Sequence, residues 1–436
     1  MELPSPKTVP WTYSGSGFLY NTVAELRAAY DLNPLYQSGY DGSGQTVVIV
    51  DAYGSPTIYE DLLNFIVWQN SRGANLPWTT KEDVQSHLHI YYPTGKPTFS
   101  PRNSHDQIGW GIETTLDVCM VHAIAPGADI ALVVAASSGG NVLNLAVNYA
   151  ITNRLGSVIS QSFGIPEFLL KGNNGQFLQA HNNYLLAEQY GITVFASTGD
   201  DGATNGGPLN NALYPSSDPY VTAVGGTNLF MTCSPSYTEG IGLWSSRPTG
   251  TVGQTYYKEI AGNDYEAMVI DGYPSPEEIV TTGGAVSRLF PLPTWQSGLV
   301  LTYRNGSTAT PTMRVVSDVS YDSGVYGGIG IIPYSALGAT SYYIVGGTSA
   351  GSPFWAALTA LACQYKGSSL GYINQKLYTH LGTAYSSGSF HDIIAGDNTF
   401  PNSGSVLGYK ATTGWDAPTG IGSPDASILV PIMAGW

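Results

Sequence analysis

The chain has 436 residues, with 16 Lys+Arg against 31 Asp+Glu and a formal net charge of −15, so nucleic acid is not expected as a partner. Charged residues make up 11% of it, against roughly 25% in an average soluble protein, which leaves a surface of neutral polar groups that tolerates protonation of carboxylates at low pH. No apolar run approaches the roughly 18 residues of a membrane span, and the Met1 segment lacks the basic-then-apolar order of a signal peptide.

Three widely spaced cysteines, Cys119, Cys233 and Cys363, form no metal motif and allow at most one disulfide. In chain order, VAELRAAY at Val23–Tyr30 suits a short amphipathic helix, and the β-branched run TVVIVD at Thr46–Asp51 predicts a buried strand. Helices are expected at Thr57–Gln69, Gly109–His122, Asn141–Asn153 and near Gln176–Tyr190. Strands are expected at Ile130–Ala135, Ser157–Ser162 and Thr193–Ser197. Residues 230–282 lose this order to Gly, Ser, Thr and Tyr and are expected as a surface insertion within one domain over 1–436. The alternation resumes with strands at Val315–Val319 and Ser341–Val345 and a helix at Ser349–Cys363. Strands alternating with helices predict an α/β fold with a mostly parallel sheet covered by helices on both faces.

The segment Gly346-Gly347-Thr348-Ser349-Ala350-Gly351 joins an apolar strand to an apolar helix. A serine there sits at a helix N-terminus, where backbone N–H groups help to hold an oxyanion; the plain alternative is a helix cap. A nucleophilic serine needs a base, but none of the seven histidines has a setting that suits one. Carboxylates are the other source. Glu113 and Asp117 lie four apart, on one face of the expected helix, among Ile112, Leu116, Val118 and Met120. Buried together they would share a proton; a solvated acidic face is the alternative. Asp200, in the turn after Thr193–Ser197, and Asp51, ending the first strand, lie beyond the carboxyl ends of strands, where open α/β sheets place ligands.

These residues fall in an ordered series: GIETTLD followed by AIAPGADI, SQSFG, FASTGDDGA followed by YPSSDPYVTAVGGT, GGAVSRLFPLPTWQ, SDVSYD, GGTSAGSPFWAALTAL, and HDI with GWDAPTGIGSP. From about Val23 to Pro424 the chain resembles the sedolisins, serine-carboxyl peptidases with a subtilisin-like fold. The resemblance implies an acid-active peptidase with Ser349 as nucleophile, Glu113 as general base and acid, Asp117 as its partner and Asp200 as a protonated oxyanion stabiliser. Asp51 would support the acid pair. Ser162, Phe163 and Gly164 would border the substrate, laid along this edge by strand addition. One structural Ca2+ would be held in the tail, about 390–424, by Asp392 and Asp416 with backbone oxygens of Ile393, Thr412 and Gly414. The resemblance further implies protein or peptide substrates, a pro-domain before maturation, secretion to an acidic environment, and a monomer without membrane association. Endopeptidase action is expected, with a tripeptidyl-peptidase or a silent binding protein on the same fold as alternatives.

Overall fold

The computed structural model describes residues 8–10, 20–100, 105–170, 174–230, 243–245, 256–271, 279–325 and 329–436. Its centre is a sheet whose strands are β1 (Thr46–Ala52), β2 (Leu88–Tyr91), β3 (Asp129–Ala135), β4 (Val158–Gln161), β5 (Thr193–Ser197), β6 (Thr222–Phe230), β7 (Leu243–Ser245), β8 (Tyr256–Ala261) and β9 (Val319–Asp322). Seven of them run parallel in the order β2-β3-β1-β4-β5-β6-β9, and β8 and then β7 continue antiparallel from the far part of β6.

Strand side chains alternate between two cores, as a two-residue period requires. Val47 and Ile49 of β1 and Ile130, Leu132 and Val134 of β3 enter one core; Val48 and Val50, with Ala131, Val133 and Ala135, enter the other. The second core is closed by α2 (Gly140–Thr152) through Leu143, Val147 and Ile151, and by α3 (Asn174–Gln189) through Ala180 and Tyr184. The first is closed by α1 (His105–Ile124), which packs against α4 (Thr348–Lys366). Because strands buried on both faces must be apolar throughout, the runs TVVIVDA and DIALVVA read as they do. Among the described residues, no helix is long and apolar enough to cross a membrane.

Most expected elements stand within a few residues of their places, with three differences. Ser341–Val345 is a strand, but it pairs antiparallel with Ile329–Tyr334, outside the parallel sheet. Val315–Val319 is two strands, Met313–Val316 and β9, separated at 317–318 and paired with different partners. Of the 230–282 stretch, β8 lies against β6, and Glu259, Ile260, Ala261, Asn263 and Asp264 are buried. That part is body and not a surface cover; 231–242, 246–255 and 272–278, Cys233 among them, lie outside the described residues. Cys119 and Cys363 are buried free thiols.

Candidate active site

A cleft opens at the carboxyl edge of the parallel sheet, with Glu113, Ser162, Phe163, Gly164, Asp200 and Ser349 among its lining residues. They arrive from four elements. Ser349 is the second residue of α4, Asp200 follows β5, and Ser162 to Gly164 continue from the end of β4. Glu113 and Asp117 project from one face of α1, and Asp51 is the sixth residue of β1. The structure therefore brings together every catalytic and substrate-edge residue singled out in the sequence, with Asp51 and Asp117 behind the cleft wall.

The entry to α4 is fixed by a short chain of donors. Gly199 N–H donates to Thr348 Oγ1 (3.0 Å), Thr348 Oγ1 donates to Asp200 Oδ1 (3.0 Å), and Thr348 N–H donates to the same oxygen (2.7 Å). A backbone N–H at a helix start has no helical acceptor, so the Asp200 carboxyl serves as the cap that the Gly347 N-cap residue lacks. Gly347 has φ +119, and a Cβ on it would stand 2.8 Å from Asp200 Oδ2. Glycine is thus required twice, by the backbone angle and by the carboxyl against it.

The acid cluster is buried: Glu113 is 2% exposed, and Asp117 and Asp51 are 0%. Burial pushes Glu113 well above the ordinary carboxylate range; the nearby Ser349 hydroxyl partly offsets this, and the charges of Asp51 and Asp200 add to it. Asp117 is raised by burial and then by Asp51 and Glu113, with the Ser162 hydroxyl acting the other way. Burial pushes Asp51 up to about 7 against the pull of the Thr114 hydroxyl. Neither Glu113 oxygen meets a donor at ordinary hydrogen-bond length, nor does Asp117 Oδ2. Among the described residues no ion pair reaches the three acids, so burial and mutual repulsion favour fewer than three charges.

Sequence reasoning missed two features. Ser162, expected as a substrate edge, also turns its hydroxyl inward, 2.9 Å from Asp117 Oδ1 and 3.1 Å from the Ser349 carbonyl oxygen. Trp110, one turn before Glu113, is 1% exposed and lines the same cleft. Its position three residues before Glu113 on a helix was the available signal.

In the tail, Phe390–His391 and Ser423–Pro424 form a short antiparallel ladder, and beside it Asp392 and Asp416 hold two loops together. Gly414 N–H lies 3.0 Å from both Asp392 oxygens, Thr412 N–H 3.1 Å from Asp416 Oδ2, and the N–H and hydroxyl of Thr419 each 2.9 Å from Asp416 Oδ1. Burial pushes Asp416 up to about 8, with the Asp392 charge adding to the shift, and burial raises Asp392 as well. Two carboxyls that burial raises, with the charge of Asp392 adding to the shift of Asp416, supply the kind of oxygen ligand that a hard divalent cation takes. Among the described residues no three or more His, Cys, Asp or Glu are placed to hold one metal ion together, so backbone oxygens would have to complete the shell.

Residues 102–388 match the Subtilase family. The chain is 30% identical over 407 residues to kumamolisin of a Bacillus species, covering 92% of this chain and 62% of that protein. It is 30% identical over 338 residues to sedolisin of a Pseudomonas species, covering 75% and 49% respectively. A tripeptidyl-peptidase of Aspergillus fumigatus, sed1, is 26% identical over 266 residues, covering 56% of this chain and 36% of that one. The chain thus spans less than two thirds of the length of these relatives. Among solved structures, Pseudomonas sedolisin, a serine-carboxyl proteinase complexed with two molecules of pseudo-iodotyrostatin, superposes with a TM-score of 0.70 at 26% identity, covering 96% of this chain and 99% of that one.

Proposed function

The chain belongs to the subtilase family, in its sedolisin branch, and on that premise we propose that it is an acid-active serine-carboxyl endopeptidase acting on proteins and peptides. The observation that carries this reading is one cleft holding Ser349 at a helix start, Glu113 in front of the buried Asp117, and Asp200 bound to the N–H of Thr348.

Ser349 Oγ attacks the substrate carbonyl carbon while Glu113 takes its proton, and the departing amine receives that proton as the peptide bond breaks. Water then attacks the acyl group by the same route and regenerates the serine. Burial holds Glu113 up, so that it ionises reluctantly and returns the proton readily, while Asp117 behind it shares the single charge of the pair. Asp200 donates to the oxyanion only while protonated, because a carboxylate accepts and does not donate. Two demands follow, one charge on the Glu113–Asp117 pair and a proton on Asp200, and together they confine turnover to acid. The substrate backbone lies along Ser162 to Gly164, with Phe163 beside it.

For the rest of the molecule we propose one structural Ca2+ on Asp392 and Asp416 with backbone oxygens of Ile393, Thr412 and Gly414, a pro-domain before maturation, and secretion as a monomer. When bound, the ion would supply the positive charge that the two raised carboxyls lack.

The test is cleavage of an amino-blocked peptide library from pH 2 to 8 by the parent and by Ser349→Ala. Cleavage confined to acid and abolished in the variant supports the proposal. Cleavage of free-amino peptides alone, released as tripeptides, would make it a tripeptidyl-peptidase, and equal cleavage by both proteins would remove Ser349 from the mechanism.

A further inference from the structure

The first turns of α4 contain a proline, Pro353, four residues after Ser349. In a helix the N–H of residue 353 would donate to the carbonyl of residue 349. Proline has no N–H, so the Ser349 carbonyl loses its helical partner. The group that replaces it comes from another element: Ser162 Oγ, at the end of β4, lies 3.1 Å from that carbonyl oxygen. The same hydroxyl lies 2.9 Å from Asp117 Oδ1. Ser162 is 7% exposed, so water does not readily compete for it.

One hydroxyl has one proton. Ser162 therefore divides a single donor between the main chain of the nucleophile and the acid behind the base. Its neighbours hold it in place, since Gln161 N–H donates to Ser352 Oγ (3.3 Å) and the Ser160 and Ser352 hydroxyls are 2.9 Å apart. The carboxyl end of β4 is thus stapled to the start of α4 by three consecutive residues.

We propose that Ser162 is a positioning residue of the peptidase reaction, coupling the placement of Ser349 to the ionisation of the Glu113–Asp117 pair, and that Pro353 exists in α4 to leave the carbonyl that makes this coupling possible. The inference rests on the peptidase reading above. Titratable groups facing the pair are Asp51 from β1, acting on both acids, and Asp200 from the turn after β5, acting on Glu113; the neutral hydroxyls beside it are Ser349 of α4, towards Glu113, and Ser162 at the end of β4, towards Asp117. A hydrogen bond donated to a carboxylate favours its ionised form, so Ser162 eases the single ionisation that the pair needs.

The test is a cycle of Ser162→Ala, Pro353→Ala and the double variant, read by kcat against pH and by thermal midpoint. Loss of the hydroxyl makes the pair harder to ionise. In Ser162→Ala the acid limb of kcat moves to higher pH, by about one pH unit for a hydrogen bond to a charged group, while KM changes little. Pro353→Ala returns an N–H to the Ser349 carbonyl and releases the Ser162 proton to Asp117, so its acid limb moves the opposite way. The double variant regains thermal midpoint relative to Ser162→Ala, because the carbonyl is again satisfied, but keeps the raised acid limb. If Ser162 only caps the helix, Pro353→Ala restores both stability and pH profile in the double variant, and the proposal is overturned. An acid limb unmoved in Ser162→Ala overturns it also. Thermal midpoints and circular dichroism separate misfolding from either result, and Ser162→Thr, which keeps the hydroxyl, is expected to return the limb towards the parent. An absence of Ser349-dependent cleavage in the parent would be a failure of the peptidase reading itself, visible before any variant is compared.

Discussion

Replacing Gly347 by alanine adds one methyl group at the point where α4 meets Asp200. The new Cβ would lie 2.8 Å from Asp200 Oδ2, 3.3 Å from its carboxyl carbon and 3.4 Å from Oδ1. Ordinary contact begins near 3.5 Å, so the carboxyl must withdraw by roughly half an ångström or more. The backbone also has to hold φ +119 with a side chain, which costs about 1–3 kcal/mol. Withdrawal loosens the bonds from Thr348 N–H and Oγ1 to Asp200 Oδ1 and moves the acid that we assign to the oxyanion. Displacements on the order of 1 Å in an active site lower rates by about 10²-fold, and removal of one oxyanion donor by about 10²–10³-fold. We expect kcat of Gly347→Ala to fall by about 10²-fold with KM within about threefold, and the thermal midpoint to drop by a few degrees. Steady-state kinetics on an amino-blocked peptide at the acid optimum, with scanning calorimetry, measures both. A folded variant with kcat within about twofold of the parent would refute the reasoning, because the oxyanion acid could not then be the group held against Gly347.

Three further outcomes are expected. Burial pushes Asp51 up to about 7, so at the acid pH of turnover it is protonated and uncharged, and Asp51→Asn should leave the acid limb of kcat where it is; a limb moved to lower pH in pH-rate profiles would show that Asp51 carries charge there. Glu259, fully buried and bonded by Tyr30 (2.8 Å), Thr227 (2.5 Å) and Ser423 (2.5 Å), is pushed by burial from 4.5 to about 7. A carboxyl raised on folding stabilises fully below its unfolded pKa, and that contribution is lost as pH climbs from about 4.5 through about 7. In a Ser349→Ala background, Glu259→Gln should flatten the fall in thermal midpoint over this window; a slope equal to the parent's would count against it. Millimolar Ca2+ should raise the thermal midpoint, and chelation or Asp416→Asn should remove that gain. A midpoint indifferent to Ca2+ and chelator would speak against the tail site.

The sheet was legible because strands buried on both faces leave long β-branched runs, and Thr46–Ala52 and Asp129–Ala135 need no context to be recognised. The acid pair was legible because a four-residue spacing on an apolar helix has one meaning for direction. Placement of Ser341–Val345 was not, since an apolar strand before a helix reads alike whether its neighbours are parallel or, as here, Ile329–Tyr334 antiparallel to it. Burial of Glu259 was equally hidden. Tyr30, Thr227 and Ser423, which satisfy it, are 229, 32 and 164 residues away along the chain, and no local pattern announces partners at that distance. The second task of Ser162 had a visible trace in Pro353, but a proline names only the carbonyl left vacant. The hydroxyl that fills it is known only once β4 and α4 are side by side.

The most direct test of the central claim is chemical capture of the intermediate. We would mix the protein with an amino-blocked peptide ester at acid pH, quench with strong acid within the first turnover, and map the product by mass spectrometry. An acyl adduct on the peptide containing Ser349, absent from Ser349→Ala, is the predicted result. Turnover of the ester without an adduct at Ser349, undiminished in the variant, would contradict it.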